Sequence, residues 1–156
     1  MKICIIGHTG FVGKAVYNYF NKPPYQITGI NSNTYYLPTC KFNIIINCAG
    51  NSKKYIAIEN PNIDFHKTVG LFSRILKLKA DKFIQISSID ADSLNNYGKS
   101  KIISELCSKL YFEKTTILRL GGLVGNGLKK NVIYDILNNK NLFVTLNSVF
   151  NYISTS

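Results

Sequence analysis

Lys2-Ile3-Cys4-Ile5-Ile6-Gly7-His8-Thr9-Gly10-Phe11-Val12-Gly13 is the stretch whose reading decides the fold. Lys2 to Ile6 is a short apolar run with the length of a buried strand, and the glycines follow at once. After them Ala15, Val16, Tyr19 and Phe20 recur at helical spacing. The unit is strand, glycine-rich turn, helix, and each glycine has a physical task. The first permits the tight turn, the second lets a pyrophosphate approach the backbone, and the third lets helix and strand pack closely. The helix N-terminus then faces the phosphates. Gly7, Thr9, Gly10, Phe11, Val12 and Gly13 are therefore candidate dinucleotide-binding residues, at the spacing Gly-x-x-Gly-x-x-Gly rather than Gly-x-Gly-x-x-Gly.

Outward from that unit, strands alternate with helices. Pro23-Pro24 breaks the first helix, and Gln26 to Ile30 reads as the second strand. Thr34 to Lys41 is too short for a full helix and strand, leaving at most a stub of strand at Tyr35-Tyr36-Leu37. Phe42 to Asn47 is a fully buried strand ending in the small residues Cys48-Ala49-Gly50, which let a ligand approach closely. Ile63, Val69, Phe72, Ile75 and Leu76 form a core-facing helical stripe after Pro61. Lys82 to Ser88 is a strand, a helix runs from Tyr97 to about Tyr111, and Thr115 to Leu120 is another strand. Gly121, Gly122, Gly125 and Gly127 make a flexible connection, after which Val132 to Leu137 reads as helix and Leu142 to Thr145 as a late strand. This alternation predicts an α/β fold with a parallel sheet and right-handed crossovers, abbreviated between the second and fourth strands. Ligands bind such sheets at the carboxyl ends of the strands.

The 156 residues suffice for one well-buried core, so a single domain over 1–156 is expected. Apolar residues make up 46% and are spread along the chain, against extended disorder. No run approaches membrane-spanning length, and the N-terminus starts directly as a strand without a basic n-region, so a cytoplasmic location is expected. Cys4, Cys40, Cys48 and Cys107 show neither a Cys-x-x-Cys pair nor metal-ligand spacing, and read as reduced small hydrophobes. The net charge of +11 attracts polyanions. Its lysines are dispersed, with Lys53-Lys54 and Lys129-Lys130 in loops, and Arg74 and Arg119 are the only arginines. That argues against nucleic acid and suits a phosphorylated cofactor or an anionic substrate.

The chemistry lies in Ser87-Ser88-Ile89-Asp90-Ala91-Asp92-Ser93-Leu94-Asn95-Asn96-Tyr97-Gly98-Lys99-Ser100-Lys101. Tyr97 and Lys101 are four residues apart, so on a helix they share one face and the ammonium sits near the phenol. A neighbouring positive charge favours the phenolate and draws the titration from about 10 towards neutral, where acid or base work becomes available. At the end of the second strand, Asn31-Ser32-Asn33 stands where an Asp or Glu commonly holds the adenosine ribose diol. The missing carboxylate removes repulsion against a 2′-phosphate, yet no Arg or Lys stands beside it in sequence, so NAD and NADP both remain open.

In this order the motifs resemble the extended short-chain dehydrogenase/reductases, the NAD-dependent epimerase/dehydratase group. Gly7 to Gly13 matches that group's cofactor turn. Asn47-Cys48-Ala49-Gly50 resembles its Asn-x-Ala-Gly/Ala strand end, and Tyr97-Gly98-Lys99-Ser100-Lys101 with Glu105 its Tyr-x-x-x-Lys helix. Leu118-Arg119-Leu120-Gly121-Gly122-Leu123-Val124-Gly125 is similar to its Arg-Pro-x-x-Val-Tyr-Gly segment. The resemblance implies a three-layer, Rossmann-type doubly wound parallel sheet with helices on both faces. It further implies NAD or NADP as cofactor, held by Gly7, Thr9, Gly10, Phe11, Val12, Gly13, Asn31, Ser32, Cys48, Ala49, Gly50, Tyr97 and Lys101.

Carried over residue by residue, Tyr97 would be the acid/base and Lys101 would hold the nicotinamide ribose and lower the Tyr97 pKa. Ser88, with Ser87 as the fallback, would bind the substrate oxygen. The implied reaction is oxidoreduction or epimerisation/dehydration of an anionic nucleotide-linked sugar or similar hydroxyl/keto substrate. A homodimer built on the helices containing Phe72 to Leu76 and Tyr97 to Tyr111 is also implied. The short span from Ser88 to Tyr97, and an expected absence of a substrate-binding lobe, leave the alternative of a non-catalytic cofactor-binding sensor or subunit.

Overall fold

The computed structural model describes residues 1–145 and 147–155. The chain divides into two compact units, Met1–Arg119 and Leu120–Ser156. Strands β1 (Lys2–Ile6), β2 (Gln26–Ile30), β3 (Lys41–Asn47), β4 (Lys79–Ser88) and β5 (Thr115–Leu120) form one sheet in the order β2-β1-β3-β4-β5. β1 pairs parallel with both β2 and β3, and β3 pairs parallel with β4. From β1 the chain steps outward to β2, then returns to the other side of β1 and proceeds to β5. The reversal lies between β1 and β3, where a crevice opens at the carboxyl ends of the strands.

Alternating side chains of the central strands feed two cores. Ile3, Ile5 and Ile46 pack with Val16, Tyr17 and Phe20 of α1 (Phe11–Phe20). Tyr17, rather than Tyr19, turns inward, and Tyr19 is exposed. On the other face Cys4, Ile6, Phe42, Ile45 and Phe83 pack with Phe72, Ile75, Leu78 and Phe112. Helices thus cover both faces, as the resemblance implied.

The connection from β3 to β4 is more broken than one helical stripe. It contains α2 (Lys54–Glu59), α3 (Pro61–Phe65), a π-helical turn at His66–Gly70 and α4 (Phe72–Ile75). A π turn inserts a residue and shifts the inward face. Phe72 and Ile75 are buried as expected, but Ile63 and Leu76 are exposed, and Asp64 and Thr68 take the inward positions of the first half. Tyr35-Tyr36-Leu37 forms no strand, and Tyr35 and Tyr36 are 91% and 92% exposed. With no helix and strand between β2 and β3, that segment has no sheet partner.

α5 (Asn96–Tyr111) is capped by the Asn95 side chain, which accepts from Gly98 N at 2.9 Å. It buries Tyr97, Ser100, Lys101, Ser104, Glu105 and Ser108, while Leu106, Leu110 and Tyr111 face outward. Small serines let the helix lie close to the sheet. Ser104 and Ser108 send their hydroxyls back to Lys101 O and Ser104 O, both at 2.8 Å. Ser108 also reaches Gln85 Oε1 at 3.1 Å, and Gln85 accepts from Asn47 Nδ2 at 2.8 Å.

Within the second unit, β6 (Gly122–Val124) pairs parallel with β7 (Tyr152–Ser154). The stretch taken as a flexible connection is thus partly strand. No strand forms at Leu142 to Thr145, because the partner of β6 comes from Tyr152–Ser154 instead. α6 (Val132–Leu137) matches its expected span and is capped by Asn131, whose side chain accepts from Tyr134 N at 3.0 Å.

Phe83 stacks on Phe112 at 4.0 Å between ring centroids and lies 6.5 Å from Phe72. Removing its ring should open a cavity that the sheet is too rigid to close. Phe83→Ala is expected to lower unfolding free energy by about 3–5 kcal/mol, read from the urea midpoint, and a loss below about 1 kcal/mol would contradict this packing.

Candidate active site

The glycine turn lies at the carboxyl end of β1, on one side of the crevice. Gly7 has φ of +77°, and a side chain there would meet Ala49 N at 2.8 Å, so the turn lies against the end of β3. At Gly13 a Cβ would fall 2.1 Å from Gly7 O, which leaves no room for any other residue between α1 and β1. Gly10 N donates to Gly7 O at 2.9 Å, and Gly10 is the N-cap of α1 with no side-chain cap and no acidic residue in the first turn. The first amides of α1 are thus turned towards the crevice with Thr9 exposed beside them. This cradle fits a pyrophosphate.

At the end of β2, Gly7 N donates to Ile30 O at 2.7 Å, which ties the glycine turn to the next segment. Asn31 Oδ1 accepts from Asn33 N at 2.9 Å, and Thr34 Oγ1 accepts from Asn31 N at 3.0 Å. Ser32 is exposed and donates to Asn33 Oδ1 at 3.2 Å. The sequence shows no cation beside this turn, but folding brings one: Arg74 of α4 donates through Nη2 to Thr34 O at 2.6 Å.

At the end of β3, Asn47 is buried and accepts from Ala49 N at 3.2 Å, shaping the strand end. The Cys48 side chain packs with the α1-side core, where burial pushes its thiol up to about 12, so only its backbone borders the crevice. Gly50 opens the floor: a Cβ there would lie 3.4 Å from Lys101 Nζ and 3.7 Å from Thr68 Oγ1.

Ser87 and Ser88 diverge. Ser87 is buried and donates to Glu105 Oε1 at 2.6 Å, so the fallback residue faces away from the crevice. Ser88 hydrogen-bonds the Tyr97 phenol, donates to Asp90 Oδ2 at 3.1 Å and accepts from Asp90 N at 3.2 Å. Asp90 is in turn held by Lys54 Nζ at 2.7 Å. Lys101 Nζ lies 5.1 Å from the Tyr97 ring centroid, the one-turn spacing expected on α5. Ser88, Tyr97 and Lys101 therefore meet at the carboxyl ends of β3 and β4.

The expected lowering of the Tyr97 pKa is reversed. Burial pushes it up to about 12, the Ser88 hydrogen bond pulls the other way, and the carboxylates of Asp90 and Asp64 raise it further. Tyr97 is thus a protonated donor at neutral pH.

Two groups were missed in the sequence. Asp64 is fully buried, accepts from Asn51 Nδ2 at 2.6 Å, and has Oδ2 without a partner among the described residues. Asn51 N also donates to Thr68 Oγ1 at 3.0 Å, so Asp64 and Thr68 hold the loop that follows β3. Their four-residue spacing was a signal, masked by the apolar residues around it. The second is the pairing of Glu105 with Arg119, named above in separate motifs: Arg119 Nε and Nη2 donate to Glu105 Oε1 and Oε2 at 2.9 and 2.8 Å. Arg119 Nη1 also reaches Asp92 at 2.7 Å.

With this geometry in hand, comparison with known proteins places the chain. The model of the NAD dependent epimerase/dehydratase family matches residues 3–142, and the chain belongs to that family. Among curated proteins no sequence matches it. Its fold is similar to that of a dTDP-4-dehydrorhamnose reductase from Bacillus anthracis in complex with NADP, at 20% identity and a TM-score of 0.69 over 88% of this chain and 59% of that one. A UDP-glucose 4-epimerase from Thermotoga maritima with UDP-glucose gives 15% identity and 0.77 over 99% of this chain and 70% of that one. A UDP-glucuronic acid 4-epimerase from Bacillus cereus in complex with NAD gives 18% and 0.69 over 90% and 64%. At these identities the likeness establishes the fold. The chain spans 59% of the length of the reductases it resembles.

The Glu105 carboxyl is pushed up by burial, but its hydrogen bonds to Arg119 and Ser87 outweigh that and hold it below the usual carboxylate range. The unfolded chain therefore binds the proton more readily, and the stability this carboxylate contributes is present above about pH 4.3 and lost as pH falls below it. The urea midpoint of the parent should drop on acidification from about pH 5 to about pH 3, and less steeply in Glu105→Gln. Equal slopes would show that this pair does not carry the acid sensitivity.

Proposed function

We propose that the chain is an NAD(P)-dependent oxidoreductase or epimerase/dehydratase acting on a nucleotide-linked sugar or a similar hydroxyl/keto substrate, with Ser88, Tyr97 and Lys101 at the reacting centre. The observation that carries this reading is the meeting of the Ser88–Tyr97 hydrogen bond with Lys101 Nζ beside Gly50, at the open end of the sheet. Residues 1–156 then act as the cofactor-binding Rossmann domain. The nicotinamide, when bound, supplies or accepts the hydride at a substrate carbon.

The remaining work belongs to the protein. The glycine turn and α1 amides receive the pyrophosphate, and Asn31 and Ser32 border the adenosine ribose. Cys48, Ala49 and Gly50 line the floor with their backbone, and Lys101 holds the nicotinamide ribose. Ser88 hydrogen-bonds the substrate oxygen. Tyr97 gives its proton to that oxygen: its O–H bond breaks as the new O–H forms, and the Lys101 ammonium stabilises the phenolate left behind until a proton returns. Burial keeps the phenol protonated at neutral pH, the state in which Tyr97 can give a proton to a carbonyl oxygen. The net charge of +11 suits an anionic nucleotide sugar, and the relatives crystallised with UDP-glucose and UDP-N-acetylmuramic acid support that substrate class.

The second reading is a non-catalytic NAD(P)-binding sensor or subunit from the same family. It is favoured by the short span from Ser88 to Tyr97, which leaves only a brief loop beside the site. Incubation with NADH or NADPH and a panel of nucleotide-linked keto sugars separates the two. Turnover is expected, with kcat falling by about 10²–10⁴ in Tyr97→Phe while the cofactor still binds. Cofactor binding without turnover would favour the sensor, and no binding would sink both.

A homodimer goes with the catalytic reading. Leu106, Leu110 and Tyr111 on α5 and Ile58, Ile63 and Phe65 on α2 and α3 are all exposed, with Leu110 at 78% and Ile58 at 74%. Since α5 buries its small polar face against the sheet, its apolar face is left for a second copy. Among the described residues no helix is long and apolar enough to cross a membrane, and a cytoplasmic location fits this reading. Light scattering should give twice the chain mass, and Leu106→Lys with Leu110→Lys should halve it. A parent that stays monomeric at high concentration would contradict the dimer.

A further inference from the structure

The loop that leaves β2 begins beside the glycine turn, since Ile30 O accepts from Gly7 N at 2.7 Å. A dinucleotide whose pyrophosphate lies on that turn carries its adenosine ribose across this loop. Residues 31–40, Asn-Ser-Asn-Thr-Tyr-Tyr-Leu-Pro-Thr-Cys, hold no acidic side chain. Asn31 is already committed, accepting from Asn33 N at 2.9 Å and from Thr34 Oγ1 at 3.3 Å, so it is poorly disposed to grip a ribose diol.

Arg74 enters this neutral segment from α4, forty positions away in sequence. Its Nη2 donates to Thr34 O at 2.6 Å. The side chain is half-buried, and no ion pair to a carboxylate is formed by it among the described residues. A guanidinium carries five N–H donors in a planar fork, and one carbonyl satisfies only part of that fork. Partial burial of an uncompensated cation is unfavourable, and an anion of forked geometry would relieve it. A phosphate monoester has that geometry.

We infer that Arg74 receives the 2′-phosphate of NADP(H), and that the chain discriminates in favour of the phosphorylated cofactor. This rests on the reading that the chain binds a nicotinamide dinucleotide at the glycine turn, and it adds which one and by which residue. Thr34 O acts as the tether that holds the guanidinium at the loop, while the exposed Ser32 hydroxyl stands in the same turn as a second, neutral donor.

Calorimetric titration of the full chain with NADPH, NADH and adenosine 2′,5′-bisphosphate tests it without any turnover. NADPH should bind about tenfold or more tightly than NADH, the share of one charge-assisted hydrogen-bond pair. The bisphosphate alone should bind measurably. Arg74→Met keeps the stem and removes the fork, and should erase the difference between the two cofactors. Arg74→Lys keeps the charge and should retain part of it, which also covers the case in which the methionine variant fails to fold. Equal or tighter binding of NADH by the parent would overturn the inference and leave the nicotinamide reading standing, with Arg74 a tether for the loop only. An unaltered NADPH preference in a folded Arg74→Met would likewise overturn it. Binding of neither cofactor would overturn both.

Discussion

The hydrogen bond from Ser87 to Glu105, 2.6 Å long and buried, is the contact on which the arrangement at the top of the sheet depends. It fixes how α5 is rotated about β4. Glu105 lies two turns beyond Tyr97 and one beyond Lys101, so turning it inward to Ser87 turns all three to the same side. Arg119 locks the pair from β5 through two contacts and holds Asp92 with a third. Ser88, the last residue of β4, meets the Tyr97 phenol two turns nearer the start of the same helix face.

That constraint explains a helix whose pattern is inside out by ordinary expectation. Three serines and two charged residues of α5 are buried, and its leucines are not. Close approach to the sheet needs small residues, and a polar seam of Asn47, Gln85 and Ser108 satisfies the groups this buries. The leucines then have no place in this core and lie exposed. The same pattern appears at Asp64 and Thr68, polar residues one turn apart that face inward and grip the loop after β3.

Much of the first unit was legible in the sequence because its signals are local. The strand, glycine turn and helix at Lys2 to Phe20, the strand at Gln26–Ile30 and the strand at Thr115–Leu120 are set by apolar runs and turn residues. The closeness of Lys101 to Tyr97 was legible from their four-residue spacing, and the tightness of the glycine turn from its glycines. Illegible features depend on distant partners. β7 exists because β6 pairs with it, Arg74 meets Thr34 only through the packing of α4, and the Tyr97 titration is governed by burial rather than by its lysine neighbour. Asp64 and Thr68 were passed over because polar residues at helical spacing stand among apolar ones in that stretch, and Ile63 was assigned the inward position instead.

The central claim is that Ser88, Tyr97 and Lys101 surround the nicotinamide end of a dinucleotide laid across Gly7 to Gly13. A crystal structure of the chain grown with the oxidised cofactor tests it most directly. The pyrophosphate is expected at the α1 amides, with the nicotinamide ribose hydroxyls within hydrogen-bond distance of Lys101 Nζ and Tyr97 Oη. A dinucleotide bound elsewhere, or one whose nicotinamide points away from Tyr97, would contradict the account.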